Sequence, residues 1–186
     1  MKAYVSMFAL TVAMIVATTT QTRAQVIFAP GPIWLVAWTT VPVNCTTAQG
    51  AGLKAPTATG GITFRPAAHG TIVLNCYVTS IMRVDPTFVN AFGLTFLSNG
   101  SIGGVDQCLV SATVEAQPYG GKFPTLIGFF STAGQNFTTP VTANVPLTTF
   151  LDVDANLYMV TIALVRQTGA TCNPVVDAAV LQEEIF

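Results

Sequence analysis

Leu157-Tyr-Met-Val-Thr-Ile-Ala-Leu-Val-Arg166 is the stretch that decides the fold of this chain. Tyr158, Val160, Ile162 and Leu164 alternate with Met159, Thr161, Ala163 and Val165, and a β-strand sends residues of that period to two opposite faces. Both faces are fairly apolar, which predicts a central strand. The same alternation runs through residues 71–79, where Ile72, Leu74, Cys76 and Val78 share a face. It recurs in residues 107–117, where Cys108, Val110, Ala112 and Val114 do. Both cysteines are therefore expected to point inward. Further strands are predicted at residues 61–65, 88–97, 125–131, 145–151 and 175–181. Turn-forming stretches fall at 48–61, 98–104, 117–124 and 133–140, and residues 49–61 read as one long surface loop. Helical periodicity is nearly absent and no repeat of fixed period occurs. The pattern predicts an all-β domain, an Ig-like or jelly-roll β-sandwich.

Residues 25–43 stand apart. They hold both tryptophans, Trp34 and Trp38, and nothing polar interrupts Ile33 to Trp38. A strand this apolar on both sides is expected to be covered on both faces. Upstream, Lys2 precedes an apolar run from Tyr4 to Ala17, then a threonine-rich stretch and Thr22-Arg23-Ala24. That order is the pattern of a secretory signal peptide cleaved after Ala24. The apolar run is shorter than the ~20 residues that cross a bilayer, so membrane attachment after cleavage is not expected. The expected organisation is a signal peptide at 1–24, an N-terminal extension or first strand at 25–43, and a β-sandwich at 44–186, secreted to the extracellular space or cell surface.

Four cysteines, Cys45, Cys76, Cys108 and Cys172, all lie beyond the signal. An even number in an exported chain favours two disulfides, with three pairings open. The preferred one joins Cys45 to Cys76 around a hairpin-like region and Cys108 to Cys172 from the middle of the domain to its last part. No C-x-x-C spacing occurs and the single histidine, His69, has no cysteine near it in sequence, so neither a metal site nor a cofactor is expected.

Charged residues make up only 8% of the chain, against about 25% in an average soluble domain. Once Lys2 and Arg23 leave with the signal, five basic residues (Lys54, Arg65, Arg83, Lys122, Arg166) face eight acids. No basic stripe is present for a phosphate backbone, which argues against nucleic acid.

Motifs for catalysis are missing. Nucleophilic catalysis needs a base for the nucleophile and a group to orient that base. His69 sits in Pro66-Ala67-Ala68-His69-Gly70, a turn before a strand, and the nearest acid in sequence is Asp85. Asp152-Val153-Asp154-Ala155-Asn156 opens like a calcium loop, but Leu157 replaces the turn glycine and Ala163 the bidentate glutamate, leaving a polar turn. No pair among Asp85, Asp106, Glu115, Asp152 and Asp154 is placed by a motif across a cleft. Gly120-Gly121-Lys122-Phe123 lacks the spacing of a phosphate loop and reads as a hairpin turn. The chain is not expected to be an enzyme. Three sequons, at Asn44, Asn99 and Asn136, fit glycosylation acceptors, with Asn99 and Asn136 in predicted loops.

The signal peptide, the apolar extension, the following Cys45 with Cys76 in Gly70-Thr-Ile-Val-Leu-Asn-Cys76, and the run of strands together resemble donor-strand filament subunits, the pilin-like proteins. The resemblance implies a non-enzymatic structural subunit that polymerises with copies of itself outside the cell. Its assembly strand would comprise Ile27, Phe28, Ile33, Trp34, Leu35, Val36 and Trp38, inserted into a neighbour's sheet. The second cysteine pair departs from the simplest pilin pattern. The rival reading is a secreted carbohydrate- or surface-binding β-sandwich, with glycans as partners and loop aromatics such as Tyr119 and Phe123 at its site.

Overall fold

The computed structural model describes residues 26–27, 33–79, 81, 85–98, 101–102, 105–121 and 123–185. Fourteen strands run through them: β1 Val26–Ile27, β2 Ile33–Thr40, β3 Thr46–Gln49, β4 Lys54–Pro56, β5 Ile62–Phe64, β6 Gly70–Tyr77 and β7 Ala91–Ser98, then β8 Ser101–Ile102, β9 Val105–Asp106, β10 Cys108–Pro118, β11 Thr125–Ser131, β12 Phe137–Pro146, β13 Asn156–Arg166 and β14 Val175–Ile185.

Two antiparallel sheets make a β-sandwich. One has five strands in the order β11-β10-β13-β6-β3. The other has seven, in which β14 pairs with β7 on one side and with β2 and β5 on the other, while β12, β1 and β4 extend the margins. The strand that opened the sequence reading is β13. It is central, paired along its length with β10 and β6.

The inward faces follow the alternation. Ile72, Leu74 and Cys76 of β6, Val110, Ala112 and Val114 of β10, and Val160, Ile162 and Leu164 of β13 are all buried. They meet Phe92, Leu94 and Phe96 of β7 and Val176, Ala179 and Leu181 of β14. Phe96 stacks with Phe130 at 4.9 Å and meets Phe137 edge-on at 5.1 Å, so one ring joins β11 and β12 to the core. Where the sheets approach, buried Ser98 and Thr132 share a hydrogen bond of 3.1 Å. Ser98 Oγ also donates to the Cys108 carbonyl and Thr132 Oγ1 accepts from the Val110 N–H, so both buried hydroxyls are satisfied.

Disulfides join Cys45 to Cys76 and Cys108 to Cys172. The first spans residues 45–76 and the second 108–172. All five strands of the five-stranded sheet therefore begin within these covalently closed loops, and none of β1, β2, β7 and β14 does.

Three sequence expectations are corrected. Residues 49–61 are not one loop, because Lys54–Pro56 pairs with Ile62–Phe64 and Gly60 supplies the positive φ of 84° in the intervening turn. Of the strand expected at residues 145–151, only Val145 and Pro146 are strand, as the end of β12. Pairing of β12 with β7 ends at Pro146, and the chain loops on with Leu151 buried as its anchor. Residues 137–140 belong to β12 through an irregular register rather than to a turn.

Candidate functional site

The outward face of the five-stranded sheet is built by the residues left over from the core alternation. Register places Leu126, Glu115, Met159 and Tyr77 in one row across β11, β10, β13 and β6. The next row is Phe129, Thr113, Thr161, Asn75 and Thr46. A third holds Ser131, Ser111, Ala163, Val73 and Gln49. The irregularity between Val114 and Glu115 lets Leu126 and Phe129, three residues apart, both face outward.

Tyr77 and Phe129 are each 58% exposed, and Leu126 and Leu157 stand nearly as far out. Tyr77 and Phe129 lie three strands apart, about 14 Å at the usual strand spacing. Between them run hydroxyl, amide and carboxylate groups. Thr161 Oγ1 donates to Asn75 Oδ1 at 3.4 Å. Among the described residues the side chains of Ser111, Thr113 and Glu115 have no partner within the protein. The face thus offers rings at its two sides and free donors and acceptors in its middle, on strands that cannot shift singly.

At one end of this face β10 finishes, β13 begins and β6 finishes, since Pro118 pairs with Asn156 and Tyr77 with Met159. The loops between β6 and β7, β10 and β11, and β12 and β13 all emerge there. Among the described residues, every exposed large hydrophobic side chain except Val43 and Phe129 is at this end, including Phe88, Tyr119, Phe123 and Phe150. Tyr119 and Phe123, the loop aromatics singled out in the sequence, are 57% and 80% exposed.

The turn at residues 152–155 uses the Asp152 carboxylate on itself. Asp152 Oδ1 accepts from the N–H groups of Asp154 and Ala155, both at 3.1 Å. The buried Tyr158 hydroxyl accepts from the Asp152 N–H and donates to the Asp152 carbonyl. The D-x-D-x-N motif is thus a capped turn leading into β13. Asp85 accepts from the Thr87 hydroxyl and N–H, which hold its carboxyl below the usual aspartate value. His69 is exposed in the turn before β6.

The proposed assembly strand divides between described and undescribed residues. Phe28 lies outside the described residues, as do the side chains of Ile27, Ile33 and Trp34. In β2, Val36, Ala37 and Trp38 are buried, and Leu35 packs against the core. This strand pairs antiparallel with β14 of the same chain, Ile33 opposite Ile185 and Trp38 opposite Leu181. Val36 and Trp38 on one face and Ala37 on the other are all buried, so residues 36–38 are covered on both faces. Asn44 and Asn136 are exposed; Asn99 and the whole signal segment lie outside the described residues.

The outward rows were the part sequence reading missed. Alternation marked which residues face away from the core, but Tyr77 and Phe129 are 52 positions apart, and only strand order makes them neighbours on one surface.

No protein-family model matches the sequence, and no curated protein matches it. Among solved structures the chain is similar to the family 11 carbohydrate-binding module of a cellulosomal cellulase of Clostridium thermocellum, at 10% identity and a TM-score of 0.45, over 91% of this chain and 98% of that one. It is similar to the xylan-binding module CBM15 at 14% identity and a TM-score of 0.41, over 89% and 99%. A Stig cyclase from Fischerella sp. TAU is alike at 12% identity and a TM-score of 0.41, over 91% and 93%.

Proposed function

We propose that the protein is a secreted, non-enzymatic carbohydrate-binding β-sandwich whose site is the outward face of the five-stranded sheet. The observation that carries this is the exposed pair Tyr77 and Phe129 flanking free polar groups on one rigid surface. An antiparallel sheet whose outer side meets only water is ordinarily polar there. Exposed aromatic and aliphatic groups gathered on one face mark an interaction site instead. Ring faces suit the C–H surface of a pyranose, while Glu115, Thr113 and Thr161 suit its hydroxyls. Glu115 is the one charged side chain in the three rows, so the matching ligand is neutral and rich in hydroxyls. The two disulfides suit an exported chain. Among the described residues no helix is long and apolar enough to cross a membrane.

Polymerisation through β2 would require that strand to leave β14 and uncover Val36, Ala37 and Trp38. The sheet face asks for no such rearrangement.

Native affinity electrophoresis through gels containing soluble neutral β-glucan, xylan, galactan or mannan tests the reading. At least one polysaccharide is expected to retard the wild-type protein, and Tyr77→Ala and Phe129→Ala are each expected to relieve most of that retardation. Retardation by none of them would overturn the proposal. So would a dimer in sedimentation that these substitutions dissociate, without retention by any glycan.

A further inference from the structure

Resting on the glycan-binding reading of the sheet face, we propose that the pocket at its end seats the terminal unit of a neutral glycan, so that the protein grips chains by their ends. The pocket measures about 280 Å³ and is lined by Val78, Thr79, Tyr119, Val153, Asn156 and Leu157, among others. Val78 and Val153 also pack against the core, giving it an apolar floor. Leu157 belongs at once to the pocket and to the outward side of β13, beside the row of Tyr77 and Met159. Site and pocket are therefore continuous.

The walls are fixed in place. The Tyr119 N–H donates to the Ala155 carbonyl at 3.0 Å, and its hydroxyl donates to the Val153 carbonyl at 3.2 Å. Its ring stands in water already held at both ends, so stacking on it orders nothing further. On the other side the Val78 N–H donates to the Tyr158 carbonyl at 3.0 Å, carrying the line of β6 past Tyr77. Gln117 opposite Leu157 and Pro118 opposite Asn156 are the last pairs of β10 and β13, and beyond them the chain folds back through the turn containing Val153. A glycan lying over the face toward Leu157 thus meets this wall at the ends of β10 and β13 rather than solvent.

The pocket also selects chemically. The tyrosine hydroxyls of its lining are bonded within the protein, which leaves the Thr79 hydroxyl and the Asn156 carboxamide; the Asn156 amide nitrogen donates to the Asp152 carbonyl, leaving its oxygen to accept. Among the described residues no charged side chain lines it, and Asp152 and Asp154 flank Val153 as exposed acids. A terminal uronate would, among the described residues, meet like charge at Asp152 and Asp154, whereas a neutral sugar meets a floor, a ring and polar groups.

Isothermal titration separates end-binding from binding along the chain. The probe is a neutral polysaccharide that retards the wild-type protein, used intact and after random cleavage to chains about tenfold shorter. Binding sites per gram are expected to rise about tenfold on cleavage. Tyr119→Ala is expected to weaken binding to the short chains about tenfold, and short chains ending in a uronate to bind at least fivefold more weakly than neutral ones. Sites per gram unchanged by cleavage, with Tyr77→Ala still abolishing binding, would overturn end recognition and leave the sheet-face site standing. Unchanged affinity in Tyr119→Ala would do the same. Failure of the wild-type protein to bind either preparation would remove the sheet-face reading, and this one with it.

Discussion

The sides of the two sheets turned away from the core carry opposite chemistry, and on the seven-stranded one Ala91 and Gln182 are themselves buried. On the seven-stranded sheet the rows across β12, β7 and β14 hold Thr142, Thr95 and Ala178, then Asn144, Gly93 and Val180, then Pro146, Ala91 and Gln182. These side chains satisfy one another: Thr95 bonds Thr142 at 2.9 Å, and Gln182 donates to Asn144 at 2.9 Å. The five-stranded sheet leaves Glu115, Thr113 and Ser111 unpaired and stands Tyr77 and Phe129 in water. A face that closes its own bonds and carries small residues needs no partner. One that keeps donors free beside exposed rings is arranged for a ligand, and the disulfides reinforce that side.

The largest effect expected from breaking this contrast comes from the covalent ties. Replacing Cys108 and Cys172 by alanine is expected to lower stability by about 4 kcal/mol, since the bridge closes the longer loop, and removing Cys45 and Cys76 by somewhat less. Chemical denaturation read by tryptophan fluorescence measures both; equal losses, or a greater loss for the shorter loop, would contradict the ordering. Next come the rings. Tyr77→Ala with Phe129→Ala is expected to cost about 2–3 kcal/mol of glycan binding at roughly 1–1.5 per ring, while stability stays within about 0.5 kcal/mol, as for other surface changes. Loss of folding in step with binding would show the rings to be structural.

The converse variant lies on the other sheet. A Cβ added at Gly93 would come within 2.5 Å of Val180 Cγ2, so Gly93→Ala is expected to destabilise by about 1–2 kcal/mol with binding kept. A binding loss there without loss of stability would dissolve the distinction between the faces. The smallest effect concerns pH. Thr87 holds the Asp85 carboxyl below its ordinary value, so its folded pKa is depressed. That contribution is fully present above the unfolded aspartate pKa and is lost as pH falls through the lowered one. Carbon-13 titration should place Asp85 below an ordinary aspartate in the wild type and nearer the ordinary position in Thr87→Val, which loses the hydroxyl donor but keeps the backbone N–H.

Much of this arrangement was legible in single strands. Ile72, Leu74 and Cys76, and Cys108, Val110 and Val114, sit inward as their alternation requires, and residues 125–131 form β11 without a shift at either end. Both preferred disulfides form, because each joins an inward-facing cysteine to a buried partner. Strand ends were less legible. Phe88 continues an apolar run in sequence yet lies in a one-turn 3-10 helix, because Asp85 caps it and Pro86 sits at its first position. The site was legible only by halves. Each outward residue could be assigned to its face, but the partners across that face come from strand order, which loops of very different length conceal. Residues 33–38 show the limit of composition: so apolar a strand can complete its own sheet or a neighbour's, and hydropathy is the same for both. Pairing with β14 is a fact of register.

The two covalent loops also bear on force. Pulled from its two termini, the chain transmits tension from Cys45 directly to Cys76 and from Cys108 directly to Cys172, bypassing β3, β10, β11, β13 and all of β6 up to Cys76. Load would peel β2, β7 and β14, and of the two rings it would reach Tyr77, one residue beyond Cys76, but not Phe129. Tension would therefore loosen the Tyr77 side of the ligand face while the Phe129 side stayed slack.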